Sequence, residues 1–322
     1  MPQLLIVFPT TAVHKAIFKS IAPDWEIIYA GKGEITETLV SQSEAIIGNI
    51  PVGWLRHAAK LRWLQLLSSG ADAYTVAGIL PTGVVLTNST GAYGPAVSEN
   101  LLALTLSLMK NIPLYRDAQN RAEWVDQLPI RTILGSTVLV VGLGDVGGQF
   151  AKRIHALGAY VIGIRRLDTD KPDYVDELYL SDGLDTVLPR ADIVVLTLPG
   201  GKMTHHLFDA QRIARMKKGA LLLNAGRGSV IDTEALCQAV SEGHLGGAGL
   251  DVFETEPLPV DHLLWRMPQV MITPHVAGRY AVPATYEAVV AICQENLARF
   301  VSGQTLKNIV DRSTGYKAKQ YD

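Results

Sequence analysis

Three reactive side chains each follow an apolar stretch in the second half of the chain. Arg227 lies in LLLNAGRGSVID, Glu256 in GAGLDVFETEPLP and His275 in VMITPHVAGRY. A guanidinium binds anions, and a carboxylate beside an imidazole supports proton transfer. Taken singly, the three have ordinary alternatives: a surface arginine, a solvated loop acid and a capping histidine. Because ligands of a doubly wound sheet collect beyond the carboxyl ends of its strands, their repetition at successive strand ends indicates a reaction site.

A glycine-rich turn precedes these residues, in VLVVGLGDVGGQ. Gly142, Gly144 and Gly147 have the spacing G-x-G-x-x-G after a strand, and the helix QFAKRIHALGA and the strand YVIGI follow. In such a βαβ unit the first glycine makes the tight turn, the second admits the pyrophosphate and the third lets helix and strand pack closely. The amide groups at the helix N-terminus suit phosphate. The context favours a dinucleotide site over an accidental glycine turn.

The residues after the second strand of this unit bear on the choice of dinucleotide. NAD sites usually place an acid about 20 residues beyond the glycines to accept from the ribose 2′-hydroxyl. Here the strand runs into Arg165 and Arg166. A guanidinium would bind a 2′-phosphate with paired hydrogen bonds, so NADP(H) is favoured over NAD(H). In the alternative, both arginines point to solvent and the backbone or Asp168 holds the ribose.

The elements that must position these residues alternate along the chain as in βαβ units, which predicts parallel sheets. The predicted strands are residues 4–8, 26–30, 45–49, 61–67, 84–88, 138–142, 160–164, 176–180, 192–199, 220–226, 247–253 and 270–275. A long helix is predicted from Val97 to Ala122 with a kink or break at Pro113, and a last helix from Ala284 to Phe300.

Composition excludes several other classes of protein. The 322 residues carry a formal net charge of −2 and 48% are hydrophobic, which fits two globular domains and gives no footprint for nucleic acid or an anionic membrane. The first residues do not have the pattern of a signal peptide and no apolar run has the length of a membrane span, so a cytoplasmic enzyme is expected. Cys237 and Cys293 have no metal-ligand spacing and are expected to be reduced core thiols. No metal is required, and His205 and His206 are interpreted as solvent or cofactor-edge residues.

Taken together, GLGDVGG, NAGRGSVID, GAGLDVFETEPLP and TPHVAG resemble the D-isomer-specific 2-hydroxyacid dehydrogenase family, and the likeness extends from about residue 45 to residue 300. The resemblance implies that Arg227 holds the substrate carboxylate and keto oxygen, that His275 is the general acid or base, and that Glu256 pairs with it. It also implies that Asp251 lies near the nicotinamide carboxamide. An arginine would stabilise negative charge on the reduced carbonyl oxygen, and a histidine held protonated by an adjacent carboxylate would supply the proton.

The resemblance also implies a Rossmann dinucleotide domain inserted into a flavodoxin-like substrate domain, so the expected fold is α/β with two doubly wound parallel sheets. The substrate domain comprises residues 1–97 and 280–322, and the dinucleotide domain residues 98–279. The residues assigned to the cofactor are Gly142, Gly144, Asp145, Val146, Gly147, Arg165, Arg166, Leu198, Pro199, Ala225, Asp251 and Gly278.

On the substrate side, LLSSGADAY matches the family's glycine loop, whose amides bind the substrate carboxylate. The candidates are Ser69, Gly70 and Ala71, because a nest of N–H groups suits an anion. The alternative is a turn that needs Gly70 for backbone reasons. Tyr93 is a further candidate, as a residue that shapes the pocket or as a packing tyrosine.

The resemblance predicts reduction of a small unphosphorylated 2-keto acid such as glyoxylate or hydroxypyruvate, or of a modest branched keto acid. The segment at residues 48–51 lacks the arginine of phosphoglycerate-using relatives, which favours an unphosphorylated substrate over the alternative, 3-phosphoglycerate.

A dinucleotide-sensing corepressor is a second possible class of protein. A hydrolase of the adenosylhomocysteine type is a third, although the cysteine and lysine constellation of such hydrolases is absent. A homodimer is expected, with the long helix and Trp124 at its interface. In the alternative, the helix and Trp124 belong to the ordinary core of the domain.

Overall fold

The computed structural model describes residues 1–167, 169–279, 282–315 and 318. The chain forms two compact units, Met1–Tyr93 with Tyr280–Asp322, and Gly94–Arg279. Each unit has its own parallel sheet. The first division falls at Gly94, four residues before the predicted start of the dinucleotide domain at residue 98, because the whole helix that begins at Gly94 packs within the second unit.

In chain order, the strands and helices of the described residues are β1 (Gln3–Ile6), α1 (Ala12–Ile21), β2 (Glu26–Tyr29), α2 (Glu37–Gln42), β3 (Ala45–Ile47), α3 (Val52–Leu55), β4 (Trp63–Gln65), α4 (Asp72–Thr75), β5 (Val85–Thr87), α5 (Gly94–Met109), α6 (Ile112–Asn120), β6 (Thr137–Val141), α7 (Asp145–Ala156), β7 (Tyr160–Arg165), β8 (Glu177–Leu180), α8 (Leu184–Val187), β9 (Ile193–Leu196), α9 (Ala210–Ala214), β10 (Leu221–Asn224), α10 (Thr233–Ser241), β11 (Gly247–Leu250), β12 (Val270–Ile272) and α11 (Pro283–Val301).

The sheet of the first unit has the order β2-β1-β3-β4-β5, and all its neighbouring strands are parallel. This is the flavodoxin-like order, in which ligands bind beyond the carboxyl ends of the strands. The strands are short apolar runs, and the residues of β3 and β4 are buried throughout. Burial on both faces is typical of a parallel sheet that is covered by helices.

The sheet of the second unit has the order β12-β11-β10-β9-β6-β7-β8, again parallel throughout. Counted within the unit, this is the dinucleotide-binding order 3-2-1-4-5-6 with one more strand at the far edge. Strands β9, β10 and β11 are completely buried. The order reverses between β6 and β9, which places a switch point directly at the glycine-rich turn.

All twelve predicted strands are present, and the prediction of two doubly wound α/β sheets is confirmed. The predicted long helix is two helices, because Asn111 has a left-handed backbone (φ 54°) between α5 and α6. The break therefore precedes Pro113, which lies in the first turn of α6, where a missing N–H costs nothing. The last helix extends one residue beyond the prediction at each end.

No helix in the described part of the chain is long and apolar enough to cross a membrane.

Candidate active site

The glycine-rich turn joins β6 to α7 in the second unit. Gly142 has a left-handed backbone (φ 100°), and a Cβ at Gly147 would lie 2.3 Å from the Gly142 carbonyl oxygen, so the turn is closed by direct backbone packing. A Cβ at Gly144, the residue before α7, would meet no atom within 4 Å. The backbone is thus open at the point where a pyrophosphate would approach, and the first amide groups of α7 have no intrahelical acceptor. The turn fits a dinucleotide.

The other predicted cofactor residues lie at the same edge of this sheet. Asp145 and Val146 open α7, Leu198 and Pro199 follow β9, Ala225 and Asp251 directly follow β10 and β11, and Gly278 lies beyond β12. Leu198 reaches the turn itself, since a Cβ on Gly142 would lie 2.9 Å from its side chain.

Arg165 is the last residue of β7 and its side chain is anchored at the glycine-rich turn. Its Nε donates to the Leu143 carbonyl oxygen at 2.9 Å, and its guanidinium also contacts the Thr169 hydroxyl. Arg165 is half-buried, whereas Arg166 is exposed. The alternative in which both arginines point into solvent does not describe Arg165. Asp168, the other alternative partner of the ribose, lies outside the described residues.

His275 and Glu256 form a hydrogen-bonded pair beyond β12 and β11. The Nδ1 atom of His275 lies 2.7 Å from Glu256 Oε2, and the other carboxylate oxygen of Glu256 accepts from the Phe253 amide at 3.0 Å. The His275 side chain is 50% exposed. Its Nε2 has no hydrogen-bond partner among the residues that the structure describes. With Nδ1–H donated to the carboxylate, Nε2 is the atom available to a ligand.

The backbone of His275 is held in an unusual conformation. Its φ is 51°, in the left-handed region that residues other than glycine rarely adopt, and its N–H donates to the Asp251 carbonyl at 2.8 Å. The carboxylate of Asp251, which is 2% exposed, accepts from the Thr273 hydroxyl at 2.5 Å and from the Val276 amide at 3.0 Å. Asp251 therefore organises the histidine loop, a role that its position in the sequence does not indicate.

The Arg227 loop lies against the loop that carries Glu256. A Cβ at Gly228 would fall 1.8 Å from the carbonyl carbon of Phe253, so only glycine allows this backbone contact. The Arg227 guanidinium donates to the Gly226 carbonyl at 2.8 Å. The structure thus brings the loops of all three predicted catalytic residues to one edge of one sheet.

Residues 69–71 form the predicted carboxylate loop of the first unit. The carbonyl oxygens of Ser69 and Gly70 accept from the side chains of Asn88 (2.6 Å) and Ser68 (2.7 Å). The amide groups of Ser69, Gly70 and Ala71 donate to no acceptor within the described residues. Gly70 is not among the described glycines with positive φ, so its backbone gives no support to the alternative of an obligatory glycine turn. Three adjacent free donors suit a carboxylate.

Tyr93 is 7% exposed, and its hydroxyl donates to the Leu67 carbonyl at 2.5 Å. These contacts are those of a packing tyrosine, and a role in shaping the pocket stays a prediction.

His205 and His206 have contacts within the protein, and both cysteines are buried. The His205 and His206 rings stack at 4.1 Å, and His206 also bonds to Glu254 at 2.5 Å. Among the described residues, no three His, Cys, Asp or Glu side chains form a group that could hold a metal ion. Burial raises the pKa of the Cys237 and Cys293 thiols, which leaves both unreactive.

Comparisons with a family model and with curated proteins identify the same family. Residues 102–277 match the family model described as D-isomer specific 2-hydroxyacid dehydrogenase, NAD binding domain. A glyoxylate/hydroxypyruvate reductase B from Erwinia tasmaniensis is 31% identical over 286 residues, which cover 85% of this chain and 87% of that protein.

Solved structures extend the likeness to the whole chain. A D-isomer specific 2-hydroxyacid dehydrogenase family protein from Aeromonas salmonicida has a TM-score of 0.85 and 34% identity, and the match covers 97% of this chain and 99% of that one. An NADPH-dependent glyoxylate/hydroxypyruvate reductase from Sinorhizobium meliloti, in complex with NADP and sulfate, has a TM-score of 0.83 and 27% identity, covering 98% of this chain and 100% of that one.

Proposed function

From the premise that the chain belongs to the D-isomer specific 2-hydroxyacid dehydrogenase family, we propose that it is an NADPH-dependent reductase of glyoxylate, hydroxypyruvate or a 2-keto acid of similar size. Membership makes it an NAD(P)-dependent oxidoreductase that transfers a hydride between a nicotinamide cofactor and a small 2-keto or 2-hydroxy acid. The particular keto acid, the preference for NADP and the residue roles are the proposal.

The His275–Glu256 pair is the observation that carries the mechanism. When bound, reduced nicotinamide would be the source of the hydride for C2 of the keto acid. As charge develops on the carbonyl oxygen, His275 donates a proton to it from Nε2, while Glu256 stabilises the imidazolium through Nδ1–H. The product is the 2-hydroxy acid, and His275 is left neutral. In the reverse direction Nε2 accepts the hydroxyl proton.

Arg227 supplies the fixed positive charge in this proposal. Its guanidinium pairs with the substrate carboxylate and with the carbonyl oxygen, where negative charge increases as the reaction proceeds. In the first unit, the amides of Ser69, Gly70 and Ala71 bind carboxylate. This role is supported by the hydrogen bonds of the loop, in which the Ser69 and Gly70 carbonyl oxygens accept from the side chains of Asn88 and Ser68.

The preference for NADPH rests on Arg165. The bond from its Nε to the Leu143 carbonyl fixes a guanidinium beside the glycine-rich turn, where a 2′-phosphate would lie and an NAD enzyme would have an acid. The Sinorhizobium relative is named NADPH-dependent and was solved with NADP. A solved relative from Xanthobacter autotrophicus, 29% identical, was obtained with NADPH.

The test is a substrate panel followed by absorbance at 340 nm. Glyoxylate, hydroxypyruvate, a branched 2-keto acid and phosphohydroxypyruvate are each supplied with NADPH and with NADH. We expect the highest kcat/KM with glyoxylate or hydroxypyruvate and NADPH. The highest kcat/KM with phosphohydroxypyruvate would instead support the phosphoglycerate alternative.

Dinucleotide binding, measured by fluorescence titration, is the control for this panel. Tight binding without turnover of any keto acid would contradict the reductase and support a sensing protein. A higher kcat/KM with NADH than with NADPH would contradict only the cofactor preference.

A further inference from the structure

We propose that Asn224 is a positioning residue that holds Arg227 in its working orientation; this inference rests on the proposed function of Arg227. Asn224 is the last residue of β10, after three buried leucines, and is 1% exposed. It lies three residues before Arg227 and has no assigned role in the resemblance described above. Its side-chain amide is the only polar side chain of that strand.

The Asn224 amide holds the backbone on both sides of Arg227. Its Nδ2 donates to the Arg227 carbonyl oxygen at 2.9 Å, and its Oδ1 accepts from the Gly226 amide at 3.0 Å. These two bonds fix the Ala225–Gly226 peptide, which precedes Gly226, and the Arg227–Gly228 peptide, which follows Arg227. Because the direction of a Cα–Cβ bond follows from the backbone, they also fix the direction in which the Arg227 side chain leaves the loop.

Packing alone does not account for an amide at this position. An apolar side chain would fill the same buried volume without the cost of taking an amide out of water. Here the cost is offset only because donor and acceptor are both satisfied, and both partners belong to the Arg227 loop. The polar group is therefore coupled to the conformation of that loop.

The same strand end connects Asn224 to the histidine loop. The backbone carbonyl of Asn224 accepts from the Asp251 amide at 2.9 Å, and the Asp251 carboxylate holds the amides that follow His275. Two buried polar residues at the carboxyl ends of adjacent strands thus each order one catalytic loop. The hydrogen bond between them links the positions of Arg227 and His275 within the second unit.

The test is a double-mutant cycle with Arg227. We expect Asn224→Ala to lower kcat/KM for the keto acid about 10-fold to 100-fold, because a small misplacement of a positioned group is this costly. The KM for NADPH is expected to stay within about 2-fold of the parent value. In the Arg227→Ala background, Asn224→Ala is expected to have no further effect on kcat/KM, since nothing remains to be positioned.

Asn296→Ala is the matched control, because Asn296 is fully buried in the first unit and its amide likewise bridges a backbone segment, at Lys307. It is expected to lower Tm but to leave kcat/KM unchanged. If Asn224→Ala does not fold, Asn224→Asp is used, which retains the volume and the acceptor but loses the donor to the Arg227 carbonyl. The same loss of kcat/KM is expected.

Full additivity in the cycle, or a folded Asn224 variant with parental kcat/KM, would overturn the inference and leave the proposed function intact. If Arg227→Ala itself retained parental kcat/KM, the role of Arg227 in the proposed function would be wrong, and the inference with it.

Discussion

At the scale of single residues, two carboxylates of the second unit have different tasks in the histidine loop. The Glu256 carboxylate bonds to the ring of His275, whereas the Asp251 carboxylate accepts from the Thr273 hydroxyl and the Val276 amide. One carboxylate is half-exposed and the other is buried. The exposed one is suited to stabilising a charge that appears and disappears, and the buried one to holding a loop.

Substitution of His275 by alanine is expected to lower kcat by about 10²-fold to 10⁴-fold, the usual contribution of a positioned proton donor. Binding of NADPH should not change, because the glycine-rich turn is intact. Steady-state rates and a fluorescence titration measure the two effects. His57→Ala is the matched control, since His57 also bonds to a glutamate through Nδ1, at 3.0 Å, but both side chains are largely exposed. A kcat equal to that of the parent protein would show that His275 does not transfer the proton.

Arg165→Ala is expected to raise the KM for NADPH about 10-fold to 100-fold, the loss of a charge-assisted hydrogen-bond pair to phosphate. The KM for NADH should change by less than about 3-fold, because NADH has no 2′-phosphate. Arg215→Ala, an exposed arginine of the same unit, controls for the loss of a positive charge. Equal changes in the KM values for NADPH and NADH would show that Arg165 does not act on the 2′-phosphate.

At the scale of secondary-structure elements, the strands of the second unit carry function at one end and structural contacts at the other. Glu177 begins the edge strand β8, and its carboxylate accepts from the hydroxyls of Tyr160 (2.7 Å) and Tyr179 (2.6 Å) and pairs with Arg190. The bonds from Arg190 and the tyrosines lower the pKa of Glu177 to about 2. This cluster secures the outermost strand of the sheet.

The Glu177 contacts predict a pH-dependent contribution to stability. Because the pKa falls from its ordinary value of 4.5 to about 2 on folding, the contribution is complete above about pH 4.5 and is lost as the pH falls towards 2. Glu177→Gln is expected to lower Tm by about 2–4 °C at pH 7, with a difference that shrinks below pH 4.5. Thermal unfolding followed by circular dichroism measures this.

Glu26→Gln is the control for that measurement. Glu26 also begins an edge strand, β2, but its side chain has no partner within the described residues. A Tm difference for Glu177→Gln that persisted undiminished at pH 2.5 would contradict the assignment to the carboxylate.

At the scale of the whole molecule, the surface that would form the expected homodimer differs from the one that the sequence suggested. The leucines of α5 that suggested an interface are largely buried within the second unit. In contrast, the segment after α6 exposes Trp124 completely, Leu128 to 69% and Leu134 to 71%. Exposed apolar side chains grouped in one segment are typical of an interaction surface.

We therefore expect the protein to sediment as a homodimer and the double substitution Trp124→Ser, Leu128→Ser to convert it to a monomer. Analytical ultracentrifugation measures both states. Val260→Ser, which removes another fully exposed apolar side chain from the same unit, should leave the dimer unchanged. A parent protein that is monomeric at micromolar concentration would rule out this assembly.

The sequence by itself determined the family, the twelve strands and the order of the motifs. Local patterns suffice for these: an apolar run bounded by turn residues defines a buried strand, and glycine spacing defines a turn that only glycine permits. The three candidate catalytic residues are predictable for the same reason, since each lies in the loop that follows such a strand. The end of α5 was less predictable, because the left-handed residue Asn111 gives no signal as strong as Pro113.

Only the tertiary structure decided which side chains hold the reactive ones. The amide of Asn224 and the carboxylate of Asp251 lie among apolar residues in sequence, and neither reads as a loop-holding group there. The bonds of Asn224 arise from the turn that the chain makes directly after β10, whereas those of Asp251 to the amides after His275 arise because the carboxyl ends of β11 and β12 meet at one sheet edge. The Asp251 contacts join residues that are distant along the chain, so they depend on strand order, which no local pattern encodes.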